Sequence, residues 1–151
     1  MTDQQTILLV DDSENDLWLM RVALEKAHFR NPLQVARNGE EAIAYLKGDG
    51  RYSNRAQFPF PAVVLLDLNM PMKSGFDVLQ WVRAQPALKR LTMIVLTASM
   101  RLEDQERAYE LGVQSFLVKP NAMEDLVDMM RTLRDWLEIN HFPPLNSAVG
   151  R

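Results

Sequence analysis

Short apolar runs alternate along this chain with longer amphipathic segments, and that alternation leaves few folds open. The runs fall at Ile7 to Asp11, Leu33 to Arg37, Ala62 to Asp67, Thr92 to Thr97 and Gln114 to Val118. Their length and their β-branched and leucine content read as strands. The segments Glu14 to Ala27, Gly39 to Lys47, Asp77 to Ala84, Leu102 to Leu111 and Met123 to Ile139 carry apolar residues three and four apart, the spacing of one helix face. The first, third and fourth runs are apolar nearly throughout, which suits strands covered on both faces of a parallel sheet. Five βα units with right-handed crossovers predict an α/β fold built on a doubly wound parallel sheet.

Local signals support these boundaries. Ser13 and Asn38 stand where a side chain accepts helix-start N–H bonds, and Gly112 follows Leu111 where a positive φ is wanted. Asn31-Pro32 turns the chain into the second strand. The connection from Gly48 to Pro61 is long, broken by Gly48, Gly50 and Pro59, and reads as a surface excursion, functional or tolerated.

The opening MTDQQTILLVDDSEND has an apolar run too short for a secretory signal or membrane anchor, so the expected location is cytoplasmic. Residues 1-139 are expected to form one domain. The tail 140-151, with Pro143-Pro144, is too short for a second one. With no cysteine, thiol catalysis, thiolate-bound zinc and disulfide scaffolds are excluded. Seventeen basic against twenty acidic residues leave a net charge of −3, which speaks against a nucleic-acid binder.

Chemistry gathers at the ends of four runs: Asp11 and Asp12, Asp67, Thr97 and Lys119. In an open parallel sheet those ends share one rim. If the strand order is 2-1-3-4-5, ligands bind where the winding reverses, between the first and third strands. Three converging carboxylates repel unless a cation joins them. Oxygen ligands without nearby His or Cys favour Mg²⁺ over zinc. A metal, an ammonium and a hydroxyl around Asp67 would make that carboxylate a receiver for a phosphoryl group.

DD near the start, DLNMP with a following Gly75, LTAS and FLVKP together resemble the receiver domain of bacterial response regulators, over nearly the whole chain. The resemblance implies the (βα)5 flavodoxin-like order 2-1-3-4-5. It makes Asp67 the phospho-acceptor and gives Mg²⁺ to Asp12, Asp67 and the main-chain carbonyl of Asn69, with Asp11 acting through water. It further implies that Lys119 bonds the phosphoryl oxygens, that Thr97 and Phe116 are the switch pair, and that a cis peptide precedes Pro120. Phe116 departs from the tyrosine often found there, which removes any hydroxyl-mediated readout. Within the family, the long loop, the tail and the lack of an output domain look most like stand-alone regulators paired with phytochrome-type histidine kinases.

The resulting expectation is a response regulator that accepts a phosphoryl group on Asp67 from a sensor histidine kinase and switches its surface for a downstream protein the residues do not name. It would catalyse only its own phosphorylation and dephosphorylation. A phosphorelay intermediate and a phosphorylation-independent binding receiver are the alternatives. A phosphatase of the haloacid dehalogenase type would want a second Asp where Asn69 stands.

Each motif has a plainer reading in isolation. Asp12-Ser13 caps a helix, DLNMP makes a turn, Thr97 closes a strand and Lys119 is solvated. Their joint placement on one rim carries the functional reading. His28 and His141 lack partners at a ligand spacing and read as surface residues, while Trp18 and Trp81 read as packed or half-buried. On the last helix, Met123, Leu126, Val127, Met130, Leu133 and Leu137 form the stripe toward the sheet. Met129 and Trp136 lie on another flank, either plain surface or the face of a homodimer.

Overall fold

The computed structural model describes residues 1–142. Its elements follow the strand–helix alternation: β1 (Ile7–Val10), α1 (Glu14–Lys26), β2 (Leu33–Ala36), α2 (Gly39–Lys47), β3 (Val63–Leu66), α3 (Gly75–Ala84), β4 (Thr92–Thr97), α4 (Leu102–Glu110), β5 (Ser115–Val118) and α5 (Met123–Ile139). All strand pairs are parallel, in the order β2-β1-β3-β4-β5, the doubly wound flavodoxin-like arrangement.

Period-two alternation divides the core. Leu8, Val10, Val64, Leu66, Met93 and Val95 point to the side covered by α2 and α3. Ile7, Leu9, Val63, Leu65, Ile94 and Leu96 point to the side of α1 and α5. From α5, Leu126, Val127, Met130, Leu133 and Leu137 are buried there, and Met123 packs half-buried beside them. Among the described residues no helix is long and apolar enough to cross a membrane.

Several boundaries differ from the sequence expectation. Strand ladders stop one residue short of Asp11, Arg37 and Asp67. Helix α3 starts at Gly75 rather than Asp77, because Ser74 and Asp77 form a reciprocal capping box that recruits one more half-turn. Trp18 is 61% exposed rather than packed, since α1 buries Leu17, Met20, Ala23 and Leu24 on the opposite face. Trp81 is half-buried, and His28 and His141 are exposed, as expected. The Lys119–Pro120 bond is trans, not cis. Trans is the isomer that X–Pro bonds favour by about 0.5–1 kcal/mol.

The long connection is folded onto α2. It makes a short 3₁₀ turn at Gly50–Ser53 that buries Tyr52 against Tyr45 and Phe58. Arg55 donates to the carbonyls of Tyr45 (2.8 Å) and Leu46 (3.0 Å), closing the C-terminal end of that helix. The tail expected at 140-151 lies outside the described residues from position 143 onward.

Candidate functional site

Three rim residues are fixed by the sheet itself. The amide of Asp11 donates to Ala36 O (3.1 Å), that of Asp67 to Val10 O (3.0 Å) and that of Lys119 to Thr97 O (2.8 Å). Each backbone is thus held by a neighbouring strand, while each side chain springs from just beyond the ladder. The groups meet over β1 and β3, the point where the winding reverses.

Asp11, Asp12 and Asp67 bring carboxylate oxygens within 4.8 Å of one another. Asp11 and Asp67 are buried and Asp12 is exposed, so the group opens on one side. Three carboxylates with no nitrogen or sulfur donor are the set a hard divalent cation takes. The residues present fit such an ion. Desolvation raises the pKa of Asp11, an effect that its bonds to Lys119 and Ser13 N–H only partly offset and that the neighbouring Asp67 charge reinforces.

Lys119 answers this charge. Its Nζ lies 2.6 Å from Asp11 Oδ2, 3.0 Å from Asp16 Oδ2 and 3.6 Å from Asp67 Oδ2. Burial works against its charge, but the bond to Asp11 and the fields of Asp67 and Asp11 outweigh it and hold the pKa above the ordinary lysine value. A closed circuit joins these groups to the start of α1. Ser13 N–H donates to Asp11 Oδ1 (3.0 Å), Asp16 N–H donates to Ser13 Oγ (3.2 Å), and Lys119 donates to both carboxylates.

Asp16 was not among the expected site residues. One turn into α1, an acid also reads as a partner of the helix dipole, and only the third dimension puts it on Lys119.

Thr97 is fully buried at the end of β4, its hydroxyl accepting from Ser99 N–H at 3.4 Å. Phe116 on edge strand β5 is half-buried, packed on the α2/α3 side, and its N–H donates to the Tyr109 hydroxyl at 3.2 Å. Asn69 is exposed in the loop after β3, and its N–H donates to Asp67 Oδ1 at 3.4 Å. Gly75 does more than help the turn. A Cβ there would stand 2.3 Å from Asp67 O and 2.8 Å from Leu68 Cα. Away from the rim, Met129 is half-buried, and Trp136 stacks edge-on with Phe142 at 6.4 Å.

Residues 7–131 match the family described as the response regulator receiver domain. The chain is 37% identical over 140 residues to the response regulator Rcp1 of Synechocystis, an alignment covering 92% of this chain and 93% of Rcp1. Among solved structures it is similar to the phosphorylated cyanobacterial phytochrome response regulator RcpA, with TM-score 0.85 and 32% identity over 93% of this chain and 99% of that one. It is also similar to the Mn²⁺-bound form of Rcp1, with TM-score 0.82 and 37% identity over the same shares of the two chains.

Proposed function

This chain belongs to the response regulator receiver domain family, and on that premise we propose that it accepts a phosphoryl group on Asp67 from a sensor histidine kinase in the cytoplasm. The observation that carries the reading is the meeting of Asp67 with Asp11, Asp12 and Lys119 over β1 and β3. Asp67 keeps 8% of its surface open, enough for a donor phosphate to approach from the rim.

In the proposed reaction an Asp67 carboxylate oxygen attacks phosphorus in line with the phosphorus–nitrogen bond of a phosphohistidine. That bond breaks, its electron pair returns to the imidazole, and an acyl phosphate forms on Asp67. The Lys119 ammonium bonds the phosphoryl oxygens, and the Thr97 hydroxyl follows them as Phe116 turns inward. Mg²⁺, held by Asp12, Asp67 and the Asn69 main-chain carbonyl with Asp11 acting through water, would supply charge neutralisation at the same oxygens. The domain performs this step on itself and turns over no separate substrate.

That the similar protein RcpA is a cyanobacterial phytochrome response regulator favours a phytochrome-type kinase as donor. On the output side, phosphorylation tightens a homodimer through the flank of α5 that carries Met129 and Trp136. Trp136→Ala is then expected to leave the phosphorylated protein monomeric on size exclusion. Unchanged self-association would remove that face from the reading. The receiver domain is assigned to residues 1-139.

The direct test is intact mass after incubation with Mg²⁺ and acetyl phosphate, on wild type and Asp67→Asn. One phosphoryl adduct, absent from the variant, is the expected result. An adduct that persists in Asp67→Asn, or none in wild type even with an active histidine kinase, would overturn the assignment.

A further inference from the structure

We propose that Asp16 is a positioning residue that draws Lys119 toward α1 and so holds it back from the acceptor, setting how tightly a phosphoryl-like group is bound at Asp67. The proposal rests on the receiver reading above and concerns a residue outside the acidic group of Asp11, Asp12 and Asp67. An ammonium has three donors. Two of those on Lys119 are spent on Asp11 (2.6 Å) and Asp16 (3.0 Å), and its distance to Asp67, 3.6 Å, is outside a hydrogen bond.

The two α1-side partners are not equivalent. Asp11 is 2% exposed by its side chain, and among the described residues Lys119 is its only ion-pair partner. Asp16 is 37% exposed, so water replaces Lys119 there at little cost. If Lys119 moves to a group on Asp67, the Asp16 contact is therefore the one that gives way. Every such movement must work against it. Asp16 itself cannot follow, because its backbone is pinned in the first turn by Ser13 Oγ.

The prediction is a gain from a loss. Asp16→Asn keeps the side-chain shape and removes the charge, weakening the pull on Lys119 toward α1 and easing its move to the incoming group. The probe is beryllofluoride, whose tetrahedral anion mimics a phosphoryl group on a carboxylate, titrated into the full chain at saturating Mg²⁺ and followed by amide NMR. Half-saturation for Asp16→Asn is expected to fall by about threefold or more, the scale of coupling between contacting residues. Asp16→Glu, which keeps the charge, should return most of the way to wild type. Glu14→Gln removes an equal charge from the same helical turn, where Glu14 pairs with Arg37 instead, and should change nothing.

An unchanged or weaker half-saturation in Asp16→Asn would overturn the proposal while leaving the receiver reading intact. So would an equal gain in Glu14→Gln, which would trace the effect to net charge rather than to the Lys119 contact. If wild type takes up no beryllofluoride, or takes it up equally in Asp67→Asn, the receiver reading fails and the proposal with it.

Discussion

Lys119 Nζ sits 2.6 Å from Asp11 Oδ2, an ion pair joining the end of β5 to the end of β1 across two intervening strands, and it is the shortest contact the ammonium makes. The same ammonium is assigned to phosphoryl oxygens under the proposed function, so it serves two masters. Lys119→Met therefore has two effects of opposite sign. Phosphorylation by acetyl phosphate should slow by about a hundredfold, the usual scale for removing one charge-stabilising donor. Magnesium, by contrast, should bind more tightly, because Asp11 is released and a positive charge leaves the site. Timed intact-mass spectra and a magnesium titration by NMR read the two effects separately. Weaker magnesium binding in the variant would show that Lys119 organises the carboxylates rather than competing for them.

Gly75 and Gly50 separate crowding from backbone strain. A Cβ on Gly75 meets the backbone of Asp67 at 2.3 Å, whereas Gly50 has nothing within 4 Å but a φ of +57°. Gly50→Ala should cost about 1–2 kcal/mol, the left-handed penalty alone. Gly75→Ala should cost about 1–3 kcal/mol by overpacking and in addition slow uptake of phosphate, since the atom displaced is the carbonyl of the acceptor. Urea unfolding beside the acetyl phosphate assay distinguishes the two. Equal phosphorylation rates in the two variants would contradict the assignment of Gly75 to acceptor geometry.

Tyr45 predicts an alkaline signature. Its buried hydroxyl donates to Pro59 O at 2.7 Å. Burial, only partly countered by the Arg55 charge, pushes its pKa up to about 12 from 10.0. A folded pKa above the unfolded one means that the contribution is complete below pH 10 and drains away as pH rises toward 12. At pH near 8, Tyr45→Phe should cost about 1 kcal/mol for the lost hydrogen bond. Between the two pKa values that deficit should shrink by about 1.4 kcal/mol per pH unit, so the variant matches wild type near pH 11. Urea unfolding of both proteins at the two pH values measures it. A deficit that does not change with pH would mean that Tyr45 ionises as freely in the fold as outside it.

Much of this was legible in the sequence, for identifiable reasons. The βα alternation and the rim residues follow from periodicity and from where each apolar run ends in a polar group, the strand order follows from the resemblance to the receiver family, and α2 and α5 begin and end where the apolar spacing does. Ser13 and Asn38 cap as expected because capping is a local interaction. What was missed is set by distance in the chain. Asp16 and Lys119 are 103 positions apart, and only the winding of the sheet brings them together. Trp18 was misjudged because a large apolar residue suggests burial, while its register on α1 beside Leu17 and Met20 turns it outward. The capping box of Ser74 and Asp77 is a local signal present in the sequence, and it starts α3 at Gly75, two residues before Asp77.

The long connection before β3 yields the last prediction. Arg55 reaches the carbonyls of Tyr45, Leu46 and Phe58, and burial depresses the pKa of its guanidinium while the Tyr45 field works the other way. Arg55→Met keeps the apolar stem but strips the donors from three carbonyls, two of which end α2. Loss of charged hydrogen bonds to partly buried acceptors costs about 2–4 kcal/mol. Arg51 lies four residues earlier, stacks 4.7 Å from the Tyr52 ring and stays mostly exposed, so Arg51→Met should cost under about 1 kcal/mol. Both follow from urea midpoints at neutral pH. If the two substitutions cost the same, the connection is held by its aromatic cluster of Tyr45, Tyr52 and Phe58, and the guanidinium bonds to α2 contribute nothing beyond it.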